Sequence, residues 1–155
     1  MSCSNRRQSQ RGNALLEFAA GWFFLWLIFS GVYQYGYTFY VYNRLMVAVS
    51  NAAELGAKIS YDTGNPAAFS TTLQNMVLYG DETAGTSPIV SGLTASMVNV
   101  SVTATGTSSV PSDVTISIGS ATTPYNINAM FGSMALKGKP RVTVKFLGQA
   151  TCSSC

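Results

Sequence analysis

The sequence predicts an α+β protein: a long N-terminal helix, membrane-spanning in its first half, packed on a small antiparallel β-sheet domain. Three observations carry this. No proline occurs from Asn13 to Lys58, so one helix can run through the whole stretch. Its first half is apolar on every side, whereas its second half is apolar only at spacings of three and four. After Met97 the apolar spacing changes to two, which marks half-buried strands.

The chain opens with a basic leader, MSCSNRRQSQRG, expected to occupy residues 1–12. Arg6, Arg7 and Arg11 lie in it, and the next basic residue is Arg44, so the positive-inside bias puts the leader in the cytoplasm and the rest beyond the membrane. Glu17 is the only charge between Asn13 and Asn43. A carboxylate costs about 3 kcal/mol near the middle of an apolar span, which asks for a partner or a function. A cut after Gly12 would supply one: Asn13 would gain a charged α-amino group, Glu17 would become the fifth residue, and a neighbouring subunit's terminus could neutralise it. An ordinary secretory signal carries its apolar region before the cut, but here the cut would precede it and the helix would be kept. An uncleaved signal anchor shares the basic flank and the apolar run, and it leaves the spacing from Gly12 to Glu17 unexplained.

The helix is expected over 13–60, with its membrane part at about 14–35. About 20 residues suffice to cross the hydrocarbon. Tyr33, Tyr35, Tyr37, Tyr40 and Tyr42 follow as a collar suited to the outer interface, where a ring and a hydroxyl face different media; they can equally form contacts between subunits. Gly21, Gly31 and Gly36 weaken an isolated helix but permit close helix approach in lipid. Leu45, Val49, Ala52, Ala53 and Ala57 then recur on one face, to be covered by a soluble domain.

That exported domain is expected over 61–155. Asp62-Thr63-Gly64-Asn65-Pro66 ends the long helix and starts another, with Asn65 as cap, Pro66 in the first turn and Gly80 as stop. Asp81 to Gly92 reads as a loop. Val98, Val100 and Val102, then Val114, Ile116 and Ile118, then Val142, Val144 and Phe146 each alternate with polar residues and give three antiparallel strands. Ile127, Met130, Phe131 and Met134 predict a short helical or irregular segment under the sheet, and Gly106–Pro111 and Gly138–Pro140 predict turns. The Ser, Thr and Gly residues of 101–123 are either an exposed adhesive edge or a solvated sheet face.

Around the leader junction, Arg11-Gly12-Asn13-Ala14-Leu15-Leu16-Glu17-Phe18-Ala19 resembles the opening of TadE-like pseudopilins, members of the type IV prepilin group. Gly31, Gly36, Asn43, Leu45, Ala52, Ala53, Gly56 and Ala57 extend the likeness, which covers about residues 11–58. The chain departs from the pattern where that family usually has a proline, near Phe23, and where it has an acid, at Gln34. The first departure implies a straighter helix, and the second removes a further intramembrane charge. The resemblance implies a pilin-like fold, cleavage between Gly12 and Asn13 by a prepilin peptidase, and assembly with other pilin subunits through Glu17 and Asn13 in a tight-adherence pilus used for attachment. The partners so implied are inner membrane lipid, the peptidase, the other subunits and the pilus assembly machinery.

Composition excludes several other classes. The three leader arginines account for the formal net charge of +3, so the remainder is balanced and lacks the basic surface that nucleic-acid binding requires. With no histidine and with Asp62, Asp81, Glu82 and Asp113 scattered through loops, no acid–base constellation or cofactor motif is visible, and no catalytic role is expected. Asp81-Glu82 could hold calcium, but adjacent acids in a polar loop are ordinarily just solvated. Cys3 belongs to the leader. Cys152 and Cys155 lie in the exported part, where a bridge between them is expected; an intermolecular disulfide or free thiols remain the alternatives.

Overall fold

A computed structural model describes residues 5–105, 110–148 and 150–151, with side chains described for 12–105 and 110–148. It has the expected α+β architecture. Helix α1 (Asn5–Lys58) runs unbroken for 54 residues, or about 81 Å at 1.5 Å per residue. It ends at Lys58, two residues short of the expected 60, and begins earlier, before Gly12. After a two-residue strand β1 (Tyr61–Asp62), the Asp62 carboxylate accepts from Gly64 N at 2.8 Å and turns the chain. Helix α2 (Pro66–Tyr79) then starts with the Asn65 side chain accepting from Ala68 N and stops at Gly80, whose φ of 75° is the left-handed conformation that suits glycine.

A single 3-10 turn, Ala95–Met97, leads into β2 (Val98–Ala104), β3 (Pro111–Ile118) and, later, β6 (Arg141–Lys145). These form one antiparallel sheet in the order β2-β3-β6, with Val100 opposite Ile116 and Ile116 opposite Val142. Alternation does its work here. Val114, Ile116 and Ile118 of the central strand are fully buried, while Thr115 on the other face exchanges a 2.8 Å hydroxyl hydrogen bond with Thr143. The described part of the Ser/Thr-rich stretch is thus largely engaged in the sheet, with Ser112 Oγ also donating to Thr103 O at 2.9 Å.

One expectation is overturned. Residues 125–136 are neither helical nor irregular: β4 (Tyr125–Ala129) and β5 (Gly132–Leu136) make an antiparallel hairpin with Met130 and Phe131 at its tip. Only Ile127 of the four apolar residues is buried; Met130, Phe131 and Met134 are exposed. The spacing of the four imitates a helix, but Tyr125 and Ile127 alternate with Asn126 and Asn128, and cross-strand pairing satisfies the backbone better than one short turn of helix would. A last strand, β7 (Ala150–Thr151), pairs in parallel with β1.

The core lies between the second half of α1, α2 and the inner sheet face. Val41, Leu45, Ala48, Val49, Ala52 and Ala53 face it from α1, and Phe69, Leu73 and Val77 from α2. Small residues let these layers approach. A Cβ on Gly56 would lie 3.0 Å from a methyl of Leu73, so α2 rides directly over the α1 backbone at this point. Tyr61, Phe69 and Phe146 meet edge to face at centroid distances of 5.2–6.3 Å and tie the start of α2 to the end of the sheet.

Candidate functional site

The largest unexplained feature is the first half of α1. Its most apolar stretch has no residue buried within the protein, and the helix is long and apolar enough to cross a membrane. Trp22 is 64% exposed and Phe29 76%, and every side chain from Gly12 to Phe29 is exposed. These uncovered large apolar groups form one contiguous sleeve, of the kind that marks a membrane or protein contact. The architecture is compatible with a single-pass membrane protein.

Glu17 stands on this sleeve, exposed, and among the described residues no ion pair engages it. Asn13 is exposed one helical turn earlier and, four residues away, shares its face. Gly12 lies inside the helix, and a Cβ there would meet nothing within 4 Å. Neither packing nor backbone geometry therefore requires glycine at position 12. Gly21, Gly31 and Gly36 are equally open, so no contact among the described residues accounts for them.

The tyrosine collar divides between two roles. Tyr42 packs on the core, and Tyr37 lines a cleft of about 320 Å³ with Val41, Met97 and Tyr125. Tyr33, Tyr35 and Tyr40 remain exposed, with Tyr33 stacked on Tyr37 and Tyr40 beneath the Arg44 guanidinium at 5.6 Å. In the cleft, the Tyr125 hydroxyl donates to Ser91 O at 3.0 Å, and burial followed by the nearby Tyr37 raises its pKa above the ordinary value.

The carboxylates of the folded domain stay apart. Asp62 accepts from Gly64 N, and Asp81 accepts from Thr83 N and Oγ1, which holds its carboxyl below the ordinary range. Asp113 accepts from Ser112 Oγ, and Glu54 pairs with Lys58 on the α1 surface. Among the described residues no three acids, cysteines or histidines come together as a metal-ligating group. Cys3, Cys152 and Cys155 lie outside the described residues.

Sequence reasoning missed the contact between the β4–β5 tip and α1. Phe131 N donates to Gln34 Oε1 at 3.0 Å, Gln34 Nε2 donates to Gly132 O at 3.4 Å, and the Phe131 ring meets Trp26 edge to face at 5.7 Å. The only available signal was the brief alternation at Tyr125–Asn128. A match across 97 residues has no local signature. No protein-family model, curated protein or solved structure matches the chain.

Proposed function

We propose that the chain is a TadE-like pseudopilin or minor pilin, cut after Gly12 by a prepilin peptidase and used in assembling a tight-adherence pilus for attachment and biofilm formation. The observation that carries this reading is the uncovered apolar half-helix with one acid near its start, Glu17, for which the described residues offer no ion-pair partner. In a bundle of such helices, Glu17 of one subunit meets the α-ammonium of Asn13 on another, and the pairing sets their stagger. A buried pair of this kind adds little net stability but specifies register, because misaligned neighbours leave a bare charge in an apolar setting. The action is structural rather than catalytic. The charge asymmetry supports an orientation with the leader cytoplasmic and the sheet domain outside, and the resemblance points to the inner membrane.

Gly12 offers a clean test of processing. Since a methyl there meets nothing, Gly12→Ala leaves the fold intact and, in a helix interior, adds roughly 1 kcal/mol of helix propensity. A loss of cleavage well beyond the roughly tenfold that this added helix propensity could itself cause then reports recognition by the peptidase. N-terminal sequencing and intact mass of the protein purified from cells carrying its peptidase should show a start at Asn13 for the parent and an uncut chain for Gly12→Ala. Glu17→Ala should be cut normally and fail to assemble. Normal piliation by that variant would refute the proposed role of Glu17.

A second reading is an uncleaved single-pass membrane protein whose sheet domain binds a partner. The continuation of α1 through Gly12 favours it, since the bond to be cut lies within a helix and must unwind first. It predicts an intact N-terminus and tolerance of any apolar residue at position 17.

A further inference from the structure

We propose that the tip of the β4–β5 hairpin is a second membrane-contacting element, seated in the outer leaflet beside the spanning helix. The inference rests on α1 crossing a bilayer, and it is independent of cleavage and assembly.

The hairpin lies along α1 and points toward its apolar half. At its base, Tyr125 and Ile127 border the cleft beside Tyr37 and Val41; at its tip, Phe131 reaches Trp26. Those helix positions are separated by about 20 Å along the axis. Five strand residues span about 17 Å, so the hairpin and the helix descend together. The apolar run gives way to the tyrosine collar at Val32–Tyr33, where the outer edge of the hydrocarbon belongs. Trp26 is about 10 Å deeper, which puts the Phe131 ring at the depth reached by interfacially buried apolar groups.

The tip has the chemistry for that position. Met130 is 69% exposed, Phe131 53% and Met134 52%, so two large apolar side chains lie uncovered on the turn and a third on the strand that follows it. No charged residue occurs from Val114 to Leu136. Backbone in lipid must have its polar groups satisfied by protein, and here a single side chain serves a donor and an acceptor of the tip, Phe131 N and Gly132 O. The amide of Gln34 does this without placing a charge in the leaflet. A carboxylate at the same position would accept from Phe131 N and repel the carbonyl of Gly132. The lipid surface is the occupant because the exposed tip is continuous with the uncovered sleeve of α1, which is long and apolar enough to cross a membrane.

The test uses the full chain with Cys3, Cys152 and Cys155 changed to Ser, reconstituted in vesicles of phosphatidylcholine with one quarter phosphatidylglycerol. A bimane label is attached at Met130→Cys, at Met134→Cys or, as a reference in the distal loop, at Ala84→Cys. Variants are compared only if their melting midpoints match that of the unlabelled parent. Lipid spin-labelled just below the headgroup should quench the label at position 130 at least about threefold more than at position 84, and aqueous iodide should show the opposite order, as interfacial burial requires. Equal iodide access at 130 and 84 overturns the proposal. So does protection from iodide without lipid quenching, accompanied by quenching between labelled subunits, which would show that another copy of the chain covers the tip.

Discussion

The two halves of α1 belong to one uninterrupted helix and differ in almost everything else. Residues 41–58 bury one face and set Arg44, Asn51, Glu54 and Lys58 on the other, whereas residues 12–29 bury none. The packed half uses alanine and glycine where the sheet and α2 approach, at Ala48, Ala52, Ala53 and Gly56, while the open half carries Trp22, Phe23, Phe24 and Trp26. Close packing inside the domain rewards small side chains because the backbones can meet. A lipid environment admits large ones, since every methylene removed from water counts and no facing backbone limits their size. Hydrophobicity alone would not separate the halves; side-chain size and the distribution of charge do.

The sharpest way to break this comparison is one substitution made in each half. Leu45→Ala removes a fully buried side chain and should cost about 2–5 kcal/mol of domain stability, read by denaturant unfolding in detergent. Leu25→Ala, on the open half, should change it by less than about 0.5 kcal/mol. Equal effects would mean that the open half is packed in a way the subunit alone does not display.

A smaller effect is expected where the halves meet. Gln34→Leu leaves Phe131 N–H and Gly132 C=O without their partner and should cost about 1–2 kcal/mol locally. Amide hydrogen exchange at Phe131 should quicken by roughly tenfold, while exchange at Ile116 in the central strand stays unchanged.

The smallest effect concerns the cleft. The Tyr125 pKa is raised above its ordinary 10.0, chiefly by burial, so the folded state prefers the neutral phenol. Its contribution to stability is complete below pH 10 and is lost as pH rises through the folded value. Tyr125→Phe should cost about 1 kcal/mol at neutral pH through the lost bond to Ser91 O and should flatten the alkaline part of the stability profile relative to the parent.

Much of the fold was legible because its signals are local. The Asn65 cap, Pro66 and the left-handed Gly80 fix α2 within a few residues, and three period-two runs identify the main sheet. The hairpin was not legible: its apolar residues follow a misleading spacing, and its docking depends on Gln34, far away in the chain. The pairing of β1 with β7 is two residues long and too short to leave a pattern. Glu17 stood out for the opposite reason, as one charge amid an apolar run is conspicuous without any knowledge of the fold.

The continuity of α1 also makes it a lever. Glu17 and Leu45 are about 42 Å apart along an axis with no proline and no break. A lean of the sheet domain by about 10° about Leu45 would swing Glu17 sideways by roughly 7 Å, more than the 4 Å within which an ion pair holds. In the proposed assembly, the angle at which the domain sits on its neighbours would set whether the distant carboxylate finds its mate, so a domain surface far from the apolar half of α1 would govern a contact made there.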